Sequence, residues 1–185
     1  MKALFLLYDH YVEWEISPLS YIFSVTNVEI ETTALQKEVT NSGKFRINVD
    51  RLVEECEVSD YDILVIPGGD PEPLLEEEAF LKLIQDFDQE NKWIAAICGA
   101  STFLGKSSVL RNRTYSTSID ISEFPSCFDP AYQSKADTTV CENLITAEGS
   151  AYVEFAVEVG KQLNLFNDRE DELETMLFFK NLLRG

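Results

Sequence analysis

Three times this chain runs apolar for four to six residues and then stops at residues suited to a tight turn. Ala3–Tyr8 reads ALFLLY and meets Asp9-His10. Ile63–Ile66 reads ILVI and meets Pro67-Gly68-Gly69-Asp70. Trp93–Cys98 reads WIAAIC and meets Gly99-Ala100. A strand with one wet face alternates apolar and polar residues. An unbroken apolar run of strand length marks a strand covered on both faces. Helical stripes lie between and after these runs: Leu19, Ile22, Phe23 and Thr26; Phe80, Leu83, Ile84 and Phe87; Phe155, Ala156, Val159, Gly160 and Leu163. Strand and helix therefore alternate, which predicts an α/β fold with a mostly parallel sheet and helices on both faces.

The remaining segments fill in the same plan. Ile30–Gln36 and Lys44–Val49 read as strands, with Asn41–Gly43 as a turn. Ala131–Gly149 holds two strand-like parts around a turn at Glu142-Asn143. Ser17-Pro18 is placed as the cap and first position of a helix. Helices are expected over Gly99–Leu110, where Ser101 and Thr102 would cap the start, and over about Glu170–Leu183. The chain has 185 residues, of which 45% are hydrophobic, enough for one domain over 1–185 with a real core.

Charge and cysteine usage narrow the function classes. The formal net charge is -18, from 33 acidic and 15 basic residues. Such a surface repels phosphate backbones and anionic lipid, so neither nucleic acid nor membrane is an expected partner. The apolar run Ala3–Leu7 is too short for a signal-peptide core or a membrane span. The four cysteines, Cys56, Cys98, Cys127 and Cys141, form no CxxC pair, and His10 is the one histidine. No metal site of usual spacing follows, no cofactor is expected, and the thiols read as reduced in a cytoplasmic protein.

Cys98 is the residue that asks for chemistry. It ends a buried strand, with Ala96 and Ala100 two residues away on either side and Gly99 next to it. A nucleophile elbow needs small neighbours at those places, because the turn brings them against adjacent backbone. A helix starting just after Cys98 would aim its first amides at the sulfur and favour thiolate, making Cys98 the most acidic thiol of the four. The amides of Gly69 and Gly99 are candidates for an oxyanion hole. Ligands in open α/β sheets bind at the carboxyl ends of the strands, which brings Tyr8–Glu15, Pro67–Asp70 and Cys98–Ser101 to one rim. His10 and Asp70 are candidate pocket residues there. Asp70 also suits a turn role, and Cys127 lies in an irregular segment near the rim. Cys56 and Cys141 read as structural.

Three segments in order, YDILVIPGGD, WIAAICGAST and ENLITAEGSAYVEFAVEVGKQL, make the chain resemble the ThiJ/PfpI superfamily from ALFLLYDHYVEWE through Leu163. The resemblance implies a flavodoxin-like three-layer α/β/α sandwich, shared with class I glutamine amidotransferase domains, and a homodimer. It implies a nucleophile at Cys98 and a carboxyl at Glu15 that reaches the sulfur, with Glu13 as second candidate. Where hydrolytic members carry a histidine after the cysteine, this chain has Gly99. Where others place one near RNRTYSTS, Tyr115 is the matching position. Cys-His proteolysis is thus disfavoured. Two readings follow: an enzyme acting on a small reactive carbonyl or an amide through Cys98 and Glu15, or a non-catalytic stress sensor or chaperone-like protein that uses Cys98 oxidation.

Overall fold

A computed structural model describes residues 1–183; residues 184–185 lie outside the described residues. Seven strands form one sheet: β1 (Lys2–Leu6), β2 (Glu29–Ala34), β5 (Arg51–Leu52), β6 (Ile63–Ile66), β7 (Trp93–Ile97), β8 (Thr138–Cys141) and β9 (Leu144–Ala147). Their order is β5-β2-β1-β6-β7-β9-β8. All neighbours are parallel except the edge pair β8–β9. Two further strands, β3 (Glu38–Thr40) and β4 (Arg46–Asn48), form a separate antiparallel hairpin around the expected Asn41–Gly43 turn.

The sheet is central because its middle strands are apolar throughout. Every residue of β6, and Ile94–Ile97 of β7, is fully buried. Helices cover both faces. From β1 the chain passes through α1 (Ser17–Val25) to β2, on one side. From β6 it passes through α2 (Glu78–Gln89) to β7, on the other side. Right-handed crossovers running in opposite directions put their helices on opposite faces. α3 (Ser101–Lys106) packs on α2. α4 (Tyr152–Gln162) packs on α1, and α5 (Arg169–Phe179) packs on α4. The result is the three-layer α/β/α arrangement expected. The reversal of direction between β1 and β6 is a topological switch point, where such sheets leave a crevice at their carboxyl ends.

Three local expectations are corrected. Ser17 does not cap α1: it is the first helical residue, and its hydroxyl donates to the Glu13 carbonyl at 2.8 Å. Ser101 likewise opens α3 as its first residue, after a 3-10 turn at Cys98–Ala100, and Ala100 stands at the cap. The helix also ends at Lys106 rather than Leu110. Ser108 adopts a left-handed φ of 65°, which breaks the helical path, and the backbone of Cys127 presses against Gly105.

Candidate functional site

Cys98 sits at the carboxyl end of β7 with φ of 58°, a region that side-chain-bearing residues seldom occupy. The preceding residue, Ile97, is extended, and the next three turn sharply. This is the elbow geometry the small residues anticipate. A side chain at Gly99 would collide with the carbonyl oxygen of Gly69. Ala96 and Ala100 are fully buried. The hydroxyl of Ser101 lies 3.0 Å from the Cys98 carbonyl oxygen and 2.6 Å from Thr117 Oγ1, so it ties the elbow to a neighbouring loop. The Thr102 hydroxyl is buried without a hydrogen-bond partner among the described residues, so it caps nothing.

Glu15 reaches the same place from the other side of the switch point. A short 3-10 turn, Glu13–Glu15, follows the loop after β1 and turns the Glu15 side chain inward, leaving it 2% exposed. Its Oε2 accepts the N–H of Gly68 at 2.8 Å, and its carboxyl hydrogen-bonds the Cys98 thiol. Gly68 and Gly149 make room for this pair. A methyl on Gly149 would lie 2.7 Å from Glu15 Oε1 and 3.0 Å from Cys98 Sγ, and one on Gly68 would overlap both side chains. Glu13 is not part of the site. Its carboxylate accepts from the Ser42 hydroxyl at 2.8 Å, on the hairpin side.

The charge state of the pair follows from this packing. Burial raises the Glu15 carboxyl above its usual range, against the opposing bonds from Cys98 and Gly68. Burial is also the first cause that pushes the Cys98 thiol up, to about 11. The Glu15 charge and its hydrogen bond come next, and the Gly99 N–H and Ser118 hydroxyl act in the opposite direction. This runs against the expectation that Cys98 is the most acidic thiol of the four. The amides after the elbow do favour thiolate, but a six-residue helix cannot outweigh a buried carboxyl in contact with the sulfur. Glu15 raises the Cys98 thiol while the bond from Cys98 lowers the Glu15 carboxyl, so the two titrate as one unit. Removing the first proton leaves one negative charge spread over the pair, and the second proton is held tightly.

Ser118 is the site residue that sequence reasoning did not find. Its Oγ accepts the N–H of Gly149 at 2.8 Å, which leaves its own proton to donate to Cys98. It lies in the segment RNRTYSTS, but Tyr115, the residue singled out there, belongs to the core. Tyr115 is 1% exposed, packs on Phe128, and donates its hydroxyl proton to the Asp129 carbonyl. Five successive hydroxyl side chains, Thr114 to Ser118, without a period gave no basis for choosing among them.

The other candidates divide. Gly69 has φ of +146°, and its N–H donates to no protein acceptor among the described residues, so it is open to a ligand beside the Gly99 N–H. Asp70 is exposed and accepts the Glu72 N–H at 3.1 Å, a turn role, while also lining a cleft. His10 is exposed and lines the same cleft; the partners of the sulfur are Glu15, Gly99 and Ser118. Cys127 is buried against α3. Cys56 is half-buried with its sulfur 3.4 Å from Thr33 Oγ1, and Cys141 ends edge strand β8. No cluster of three or more His, Cys, Asp or Glu suited to a metal occurs among the described residues, and no helix there is long and apolar enough to cross a membrane.

Comparison with known proteins places this geometry among relatives. The model of the DJ-1/PfpI family matches residues 1–162, which ends with α4. The "Uncharacterized protease YoaZ" of Bacillus subtilis is 32% identical over 145 residues, covering 76% of this chain and 69% of its own. "Deglycase TK1284" of Thermococcus kodakarensis is 25% identical over 123 residues, covering 65% of this chain and 74% of its own. The crystal structure of the DJ-1 superfamily protein Atu0886 from Agrobacterium tumefaciens superposes with a TM-score of 0.87 at 27% identity, covering 98% of both chains.

Proposed function

The chain belongs to the DJ-1/PfpI family, and on that premise we propose that Cys98 is a nucleophile toward small reactive carbonyls, with Glu15 as its acid and base. The observation that carries this reading is the contact between a buried carboxyl of raised pKa and the elbow sulfur. A carboxyl that burial raises above its usual range can both give and take a proton, the task an imidazole performs elsewhere. Relatives named deglycase support the choice of carbonyl chemistry.

The reaction proposed for a 2-oxoaldehyde balances within these groups. The Glu15 carboxylate takes the thiol proton as sulfur adds to the aldehyde carbon, a C–S bond forms, and the carbonyl electron pair moves to oxygen. That oxygen takes the Glu15 proton, giving a hemithioacetal, while the Gly99 and Gly69 N–H groups hold the developing charge. The Glu15 carboxylate then removes the hydrogen of the same carbon as a proton and delivers a proton to the neighbouring carbon. The proton of the hemithioacetal hydroxyl passes to the ketone oxygen, so the ketone becomes an alcohol and the hemithioacetal a thioester. Water cleaves the thioester, restoring the thiol and releasing a 2-hydroxy acid, so one water is added overall.

Amide cleavage makes a further demand: the leaving amine must be protonated. His10, the one histidine, lines the neighbouring cleft, so peptide hydrolysis is expected to be absent or very slow. The test is a panel of small electrophiles followed by intact mass, wild type against Cys98→Ser. A Cys98 adduct with methylglyoxal that forms and then resolves to free thiol supports the proposal. Robust peptide cleavage abolished by Cys98→Ser overturns it. Stable oxidation of Cys98 by peroxide, with no adduct that resolves, would instead favour the sensor reading.

A further inference from the structure

Two successive peptide units of the loop after β6 are held by donors from the chain that follows β1. The Pro67 carbonyl and the Gly68 N–H are the two ends of one planar trans peptide unit, so they point in opposite directions. The N–H donates to Glu15 Oε2 at 2.8 Å, and the carbonyl accepts the Tyr8 hydroxyl at 2.9 Å; both bonds are buried. The next unit is pinned in the same way: the Gly68 carbonyl accepts the Val12 N–H at 2.9 Å, at the other end of the unit from the Gly69 N–H. Tyr8 is thus joined to the Glu15 carboxyl through a single peptide bond.

The surroundings of Tyr8 keep its hydroxyl a donor. The residue is buried, and its ring packs edge-to-face on Phe80 of α2 and Phe103 of α3, with centroids 6.0 and 5.4 Å away. A Cβ at Gly69 would lie 3.0 Å from the hydroxyl, so the loop closes over it. Burial first, then the charges of Glu15, Cys98 and Asp70, raises the hydroxyl well above the ordinary tyrosine range, so it holds its proton through neutral pH. Those three are the titratable groups around it. The helices α2 and α3 present aromatic rings, and His10, which lines the neighbouring cleft, meets Gly69 through its backbone carbonyl oxygen.

A phenyl ring would fill the same space. What the hydroxyl adds is a chain of two bonds, from O–H to carbonyl and from N–H to carboxylate. A donor on a peptide carbonyl polarises the unit and makes its N–H a stronger donor. A stronger N–H favours the charged form of the carboxyl it meets. Burial acts on Glu15 in the opposite direction, and the Gly68 N–H is one of the two bonds that oppose it.

We infer that Tyr8 is a positioning residue that sets the proton affinity of Glu15 through the Pro67–Gly68 peptide, and so decides where the Glu15–Cys98 pair releases its first proton. The consequence for turnover rests on the reading of Glu15 as the acid–base group. The consequence for the titration does not.

The test follows the Glu15 carboxyl by ¹³C NMR against pH, its signal assigned by its absence in Glu15→Gln. Tyr8→Phe keeps the ring and should move the Glu15 midpoint up by about half a pH unit, the order that one further link adds to a hydrogen-bond chain ending on a charge. The Gly68 amide proton should move upfield, as a weakened bond requires. Both changes should persist in a Cys98→Ser background, because the path runs through Gly68 and not through sulfur. Placing 3-fluorotyrosine at position 8 makes the hydroxyl a stronger donor and should move the midpoint down. A role in packing alone predicts no such reversal of sign. An unchanged Glu15 midpoint in folded Tyr8→Phe, or a shift in the same direction for both replacements, overturns the inference. Should Tyr8→Phe not fold, the fluorinated protein decides: a lower midpoint supports the inference, and an equal or higher one overturns it. With methylglyoxal as substrate, the acid limb of kcat/KM should follow the same shift. A shifted Glu15 midpoint without any Cys98-dependent turnover supports the role of Tyr8 and overturns the carbonyl reading.

Discussion

Replacing Glu15 by glutamine should make the Cys98 sulfur more reactive and the protein less active at once. Glutamine keeps an oxygen for the Gly68 N–H, which Glu15 Oε2 accepts at 2.8 Å, and it keeps the shape of the side chain. It removes the charge. The Cys98 thiol stands at about 11 against an ordinary 9.0, with burial the first cause and the Glu15 charge and hydrogen bond the next two. Burial persists in the variant, so only part of the rise disappears. A fall of about one pKa unit is the reasonable share, which raises the thiolate fraction at pH 8 about tenfold. The rate of iodoacetamide labelling at Cys98, followed by peptide mapping across pH, should rise by about that factor, with its midpoint at lower pH. Stability should move in a linked way. The folded carboxyl of Glu15 is raised, so its contribution is present below the unfolded value of 4.5 and is lost as pH rises through the folded value. Glu15→Gln escapes that loss and should gain in urea midpoint over wild type at pH 8 relative to pH 4. An unchanged or slower labelling profile in a folded variant would refute the argument that the carboxylate holds the thiol proton.

The same geometry yields three further expectations. Ser118→Ala removes a donor to the sulfur, so the labelling midpoint of Cys98 should move to higher pH; the orphaned Gly149 N–H should cost about 1–3 kcal/mol in urea melts. Gly149→Ala puts a methyl 2.7 Å from Glu15 Oε1 and 3.0 Å from Cys98 Sγ, so a crystal structure should show the pair displaced, with stability lower by about 1–3 kcal/mol. Away from the site, Glu31 binds Lys2 at 2.8 Å, Arg51 at 2.9 Å and the Tyr61 hydroxyl at 2.6 Å, and Lys2 leads the causes that lower its carboxyl to about 2. That stability is present above 4.5 and lost as pH falls through about 2, so Glu31→Gln should cost about 1–2 kcal/mol at pH 7, after solvent screening, and less in acid.

The central strands were readable because burial on both faces leaves a continuous apolar run, and Ile63–Ile66 and Trp93–Ile97 have no other explanation at that length. The elbow was readable for a related reason: no side chain fits at Gly99 against the Gly69 carbonyl, and with the fully buried Ala96 and Ala100 it marks Cys98. Glu15 came from resemblance alone. No local pattern separates it from Glu13, and the choice between them is made by a 3-10 turn that points one inward and the other to Ser42. Ser118 stayed hidden because its role depends on a loop meeting Gly149, thirty-one positions away. Thiol acidity was misjudged for a physical reason. Sequence reveals the amides that follow a cysteine, but not the buried carboxyl brought to it from across the switch point.

The most direct test of the account is to follow methylglyoxal by NMR with wild-type protein, Cys98→Ser and Glu15→Gln in parallel. A nucleophile served by a single acid–base group predicts Cys98-dependent formation of lactate in the wild type. Both variants should lose it, even though Glu15→Gln carries the more readily alkylated thiol. Lactate formation undiminished in Glu15→Gln, or equal in wild type and Cys98→Ser, would contradict it.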